Sequence, residues 1–257
     1  MRLFKKILYL VVFLYAFCCC KGNDISTKSV HLVREEFLSP LYGKPSAPQQ
    51  VGSYYAYAYN SAGHLTEIKD YRQNGSGALV LVYDTQLQYS PENKISQITI
   101  SNGITTSCKW TGKSVETTII FADKRSETAI IDLNTSGLPI KKTRSTVVQE
   151  ILYDSKENVI KTIDNSTTLS TQYTDYDVTR LNPRSSNYEL RIFNNLTINE
   201  GFIGVSKNWF LKYKDTSNTT RNNDHIIKET NSQGYPTLVE ETDGITTYSI
   251  KYTYSAD

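Results

Sequence analysis

One turn recurs along this chain, and it restricts the fold more than any other feature. In "YNSAGHL" Asn60 follows Tyr59, Gly63 comes three residues later, and Leu65 two beyond that. Asn134 and Gly137 repeat the spacing after Leu133, Asn231 and Gly234 after Thr230, and Asp154 with Glu157 after Tyr153. After Tyr89 the glycine place is taken by Asn93, with Pro91 inside the turn. An Asn or Asp side chain opens a type I turn, and the residue three places on takes the left-handed conformation, cheapest for Gly and next for Asn. Glu157 departs from that preference, so its loop either has another shape or carries strain of about 1 kcal/mol.

Between the turns, from residue 53 onward, the pattern has period two. "YYAYAYN", "ALVLVYDTQLQYS", "KISQITIS", "VETTIIFA", "VVQEILYD" and "YSIKYTYS" are β-branched or aromatic runs of strand length. Asn74-Gly75, Asn102-Gly103 and Asp243-Gly244 are pairs favoured in two-residue type I′ hairpin loops. The two turn kinds alternate, giving strand, glycine turn, strand, Asn-Gly tip; "SNGITTSCKW" and "TDGITTYSIKY" are nearly the same hairpin far apart in the chain. No stretch predicts an amphipathic helix of three turns. The expectation is an all-β antiparallel up-and-down meander of roughly 14–16 strands over residues 53–257. So many strands cannot stay flat and open, because twist accumulates and two long edges stay bare, so closure into a barrel follows. A barrel of that size has a lumen that wall side chains alone do not fill. Residues 182–223 interrupt the repeat, contain Phe193, Phe202, Trp209 and Phe210, and are expected to fold across the mouth or into the interior.

The first twenty residues belong to another kind of sequence. "MRLFKK" is basic, and "ILYLVVFLYAF" is an apolar run ending at Cys18, Cys19 and Cys20. That is the layout of an export signal, too short for a membrane-spanning helix of about 20 residues. A cysteine closing the apolar run before the polar "KGND" resembles the lipobox of bacterial lipoproteins, in which that cysteine becomes the lipidated N-terminus. Cys18 follows the bulky Phe17, so Cys20 is favoured and Cys19 is the alternative. The other reading is an ordinary cleaved signal. The resemblance implies anchoring of an exported protein in the bacterial cell envelope, at the outer membrane, by more than one acyl chain. Residues 21–52, with "SPLYGKPSAPQQVG", read as a flexible tether in which "VHLVREEF" is either a short helical turn or a strand.

"YNSAGHL" and "YDSKENVI" resemble the Tyr-Asp repeats of Rhs-type proteins. Together with "LNTSGLPIKK", "YTDYDVTRLNP" and "NSQGYPTLVEETDG", they are more similar still to a family of secreted Bacteroidetes proteins, a domain of unknown function with a porin-like barrel. The resemblance covers about residues 50–257 and implies a fold and an envelope location. It carries no catalytic residues. True membrane insertion is not expected, because most runs fall short of the 9–11 residues a spanning strand needs and their outer face mixes Thr with Lys, Glu and Gln.

Chemistry is sparse. Lys and Arg number 28 against 26 Asp and Glu, too balanced to attract nucleic acid. His31, His64 and His225 stand apart, with no metal-ligand spacing, so neither metal nor cofactor is expected. No Gly-x-Ser-x-Gly elbow or phosphate loop is present, and Cys108, alternating with Lys109 and Trp110, reads as a core thiol. Glu35-Glu36 falls in the tether, and Glu240-Glu241 points to opposite faces of a strand. The expectation is a non-catalytic protein with a binding or structural role, the alternative being a carbohydrate-active or other hydrolase with its site on the loops. Tyr55, Tyr57 and Tyr59 share one strand face and Tyr248, Tyr252 and Tyr254 another. The first row is a candidate surface for a glycan or an envelope protein, unless its rings simply pack into the barrel wall.

Overall fold

The computed structural model describes residues 30–40, 48–167, 169–197, 205–214, 220–222, 225–242 and 246–255. The export signal, Cys19, Cys20 and the Asp243-Gly244 turn lie outside the described residues. Seventeen strand segments follow one another: β1 Leu32–Ser39, β2 Gln50–Tyr59, β3 Leu65–Gln73, β4 Leu79–Tyr89, β5 Ile95–Ile100, β6 Ile104–Thr111, β7 Ser114–Ile120, β8 Ser126–Leu133 and β9 Pro139–Arg144. The second half is β10 Val147–Tyr153, β11 Val159–Asp164, β12 Leu169–Leu181, β13 Asn208–Lys214, β14 Thr220–Asn222, β15 Ile226–Thr230, β16 Pro236–Thr242 and β17 Thr247–Tyr254. Apart from β14 and β15, consecutive strands pair antiparallel, and β17 pairs with β1, so the ends of the meander meet.

β14 pairs with β13 and β15 pairs with β16. Sixteen antiparallel pairings lead round the ring from β15 to β14, an even number of reversals, so these two short segments run the same way. They are two pieces of one interrupted strand, and the sheet is an all-β, up-and-down barrel of sixteen staves. The expected strand count holds. The tether does not hold over its whole length. "LVREEFLS", left open as a helical turn or a strand, is the strand β1, and its partners are β2 and β17.

Alternation along the staves divides wall from solvent. On β7, Val115, Thr117 and Ile119 are buried while Glu116 and Ile120 are exposed. One apolar cluster joins inward residues from almost every stave, among them Leu32, Leu65, Ile98, Ile131, Ile151 and Val239. Leu190, Ile192 and Leu196 belong to the same cluster, although they come from the connection between β12 and β13. That connection carries a 3-10 turn, Pro183–Ser186, and a helix, α1, Tyr188–Leu196. The expected insertion is therefore shorter than 182–223: Trp209 and Phe210 are on β13, and the irregular part ends by residue 207.

α1 escaped sequence reading because its nine residues are too few for a visible period and include two Asn. Its local support is nevertheless conventional. Asn187 is the N-cap, its side chain accepting the Leu190 N–H at 3.2 Å, and Glu189 stands in the first turn where a negative charge suits the helix dipole. Burying Leu190, Ile192 and Leu196 at about 1.5–3 kcal/mol each gives about 4.5–9 kcal/mol, and the low end, roughly 5 kcal/mol, suits an unfolded chain that is already compact.

The turn motif is observed as expected. At Asn60, Asn134, Asp154 and Asn231 the side-chain Oδ1 accepts N–H groups two and four residues on. Gly63, Asn93, Gly137, Glu157 and Gly234 all have positive φ. Two of the supposed type I′ loops are something else. Asn74 opens the same five-residue turn, with Gly77 rather than Gly75 left-handed, and Asn102 sits in a three-residue loop with Gly103 left-handed. The Asn-Gly pair was right as turn chemistry and wrong as turn type.

Candidate lumenal site

Because every stave reverses, connections alternate between two rims. The rim carrying the turns at Asn60, Asn134, Asp154 and Asn231 is also where β12 hands over to α1, and the turns are its sockets. Tyr188 Oη donates to the Gly137 carbonyl at 3.0 Å, and Asn187 Nδ2 to the Gly63 carbonyl at 3.4 Å. His64 Nδ1 lies 2.8 Å from Glu189, and Leu181 N–H donates to the Gly234 carbonyl. Glu157 explains its own irregularity. It keeps the turn shape at φ 66°, and its carboxylate receives Arg191 Nη1 at 2.6 Å, while its carbonyl accepts from Arg191 and from Lys207. That hydrogen bond from Arg191 holds the Glu157 carboxyl below its usual range. A glycine there would fit the backbone better and would leave Arg191 without its carboxylate. Further in, Lys142 of β9 donates to the Thr197 carbonyl at the end of α1, and burial pulls its ammonium down to about 8.

Above the helix the lumen remains open as a cavity of about 500 Å³. Leu190, Phe193 and Asn194 of α1 and Arg184 of the 3-10 turn form its floor. Its walls are Tyr55 and Tyr57 of β2, Asp70 and Arg72 of β3, Tyr83 and Thr85 of β4, and the tip around Asn102 at the far rim. One ion pair, Arg72 with Asp70, faces it, and a second reaches it through Arg184. Arg72 donates from Nε and Nη2 to Asp70, at 3.1 and 2.8 Å to the same oxygen. Arg184 donates from Nε and Nη2 to Glu35 at 3.3 and 3.1 Å, and Tyr57 Oη donates to that same Glu35 oxygen at 3.0 Å. The Glu35 charge raises the Arg184 pKa further still, so the guanidinium stays charged although largely enclosed. Burial raises the hydroxyl of Tyr57 well above its usual value. Tyr55 is also raised, by burial first and then by the charge of Asp70; Arg184, Arg72 and Glu35 act on it too. Its hydroxyl therefore sits in the field of both pairs.

The tyrosine row expected on β2 is thus on the inner wall. Tyr57 is 8% exposed, and Tyr59 Oη donates to the Leu32 carbonyl at 2.7 Å with its ring stacked on His31. Tyr55 lines the cavity beside Tyr57, whereas Tyr59 is used up in packing near the plugged rim. On β17 Tyr252 is buried and Tyr254 donates to the Pro236 carbonyl, while Tyr248 is exposed. Cys108 is partly enclosed and burial pushes its thiol up to about 12, as suits a packed thiol. Among the described residues no group of three His, Cys, Asp or Glu side chains is placed to hold a metal ion. Sequence reasoning passed over Asp70, Arg72 and Arg184 and placed Glu35 in the tether. For Glu35 the signal was available: in "LVREEF" Leu32, Glu35 and Phe37 turn inward once the slip near Val33 is allowed for. For Arg184 no periodic signal existed.

Comparison with known proteins bears on the fold. No family model matches the chain, and no curated protein matches it. A solved porin-like protein from Bacteroides uniformis superposes with a TM-score of 0.56 at 15% identity, over 87% of this chain and 96% of that one. A porin-like protein from Bacteroides vulgatus gives a TM-score of 0.38 at 12% identity, over 88% of this chain and 100% of that one.

Proposed function

We propose that this chain is a non-catalytic, exported lipoprotein of the cell envelope, held through Cys20 or Cys19, that binds a small molecule in a barrel lumen stopped at one end. The observation carrying this reading is α1. It packs in the lumen with its own apolar residues in the barrel core, so the interior is a cup with a floor and not a conduit. The cup has the size and the mix of ring faces and convergent polar groups that small-ligand sites have. The likeness to a porin-like barrel and the cysteine after the apolar leader support the envelope location.

The test is a thermal-shift screen of envelope-extracted protein against a small-molecule library, run beside a broad hydrolase screen. Expected is at least one stabilising compound whose effect disappears in Tyr83→Ala, with no turnover. Turnover of any substrate, or stabilisation indifferent to Tyr83, contradicts the reading. Mass spectrometry of the mature N-terminus checks the anchor; a free, unmodified N-terminus contradicts it.

A further inference from the structure

We propose that the cup takes an uncharged saccharide of one or two rings; this rests on reading the lumen as a binding site and names the class of its ligand. The first argument is charge. Two guanidiniums and one carboxylate line the cavity, and each charge is already matched, Arg72 with Asp70 and Arg184 with Glu35 buried behind it. An anionic ligand would have to compete with a carboxylate in place, and a displaced Asp70 or Glu35, each nearly fully buried, would be left uncompensated. A cationic ligand meets the same obstacle from the arginines. A neutral ligand disturbs neither pair.

The second argument is the hydrogen-bonding edge that such pairs leave over. Each arginine spends Nε and one Nη on its carboxylate, which leaves the remaining Nη of a rigid planar fork for another acceptor. Beside Arg72 stands Asp70, which also lines the space and has further lone pairs. Adjacent donor and acceptor in one plane match the adjacent hydroxyls of a sugar ring, which both donate and accept. Tyr55, placed in the field of both pairs, and Asn194 on the floor add groups that do the same. The third argument is the apolar part. Tyr83, Phe193 and Ile104 border the same space, and ring and aliphatic faces suit the C–H faces of a pyranose while the hydroxyl edge turns to the charges.

The experiment is isothermal titration of the full mature protein, extracted in a detergent without a sugar headgroup, with glucose, N-acetylglucosamine, maltose, cellobiose and glucuronic acid. Expected is binding of at least one neutral probe and weaker binding of glucuronic acid. Tyr83→Ala lowers neutral binding by about tenfold, and Asp70→Asn, which frees Arg72, weakens neutral binding and strengthens glucuronic acid by about tenfold, the scale of one charged hydrogen bond. Because Asp70 is buried, circular dichroism accompanies that variant, and Tyr83→Ala, at a half-buried wall position, stands alone if it unfolds. Glucuronic acid binding the native protein best overturns the neutral class and leaves the lumen reading intact. No probe binding overturns the saccharide class, and the thermal-shift screen then decides the lumen reading separately. Neutral binding unchanged in both variants places the sugar elsewhere and overturns the site.

Discussion

At the plugged rim the turn opened by Asn134 presents its Gly137 carbonyl to Tyr188 of α1; at the opposite rim the turn opened by Asn74 presents its Gly77 carbonyl to neighbouring Gln73. The backbone is the same in both, with glycine φ of +79° and +82°. One turn sequence therefore does two jobs, and what separates them is the partner brought by the irregular connection over residues 182–207. A repeat can build both rims, but it takes a break in the repeat to tell one rim from the other.

The strongest way to break this asymmetry is to remove the plug. Replacing residues 184–206 with a short Gly-Ser connector should lower unfolding free energy by roughly 5 kcal/mol, from the loss of Leu190, Ile192 and Leu196 alone. Urea unfolding monitored by tryptophan fluorescence measures it, and an unchanged midpoint would mean that the wall stands without its floor. Next in size is Glu35→Ala. It leaves Arg184 charged and unpartnered inside the barrel, at a cost of about 3 kcal/mol, at the low end for a buried pair because the arginine is a third exposed to the cavity. A loss below about 0.5 kcal/mol would show the pair to be ornamental.

The glycines compare the rims directly. A Cβ on Gly137 would lie 2.9 Å from the Tyr188 hydroxyl, whereas one on Gly77 meets a flexible Gln73 nitrogen at 3.6 Å. Gly137→Ala should cost about 2 kcal/mol and Gly77→Ala about 1, since both bear the left-handed penalty and one also pushes the plug. Equal costs would deny the socket. The smallest effect concerns Lys142. Its folded pKa of about 8 lies below the usual 10.5, so the unfolded chain holds more protons between those values and stability rises with pH across that window. Lys142→Met should gain about 1 kcal/mol at pH 7, the relief of a buried charge less its bond to Thr197, and the advantage should shrink as pH passes from 8 to 10.5. A pH-independent difference would contradict the assignment.

What could be read from sequence was whatever repeats. Period-two runs and Asn-Gly offsets specify staves and turns because each is decided within a dozen residues. β1 was left between a helical turn and a strand because its pairing depends on strands at both ends of the domain, and Glu35 was left in the tether with it. Glu157 was visible as an exception and could not be explained, since its reason, Arg191, lies 34 residues away on a helix without a period. The tyrosines of β2 were legible as a row and ambiguous in direction until β1 supplied Glu35 and the Leu32 carbonyl on the inside.

The central claim is that α1 is a packed floor of the barrel, and native-state hydrogen exchange of its backbone amides tests it most directly. Amides from Arg191 to Leu196 should exchange as slowly as those of the surrounding staves, opening only with the whole barrel. Exchange of those amides at the rate of a free loop, while the staves stay protected, would show a lumen without a stopper and contradict the account.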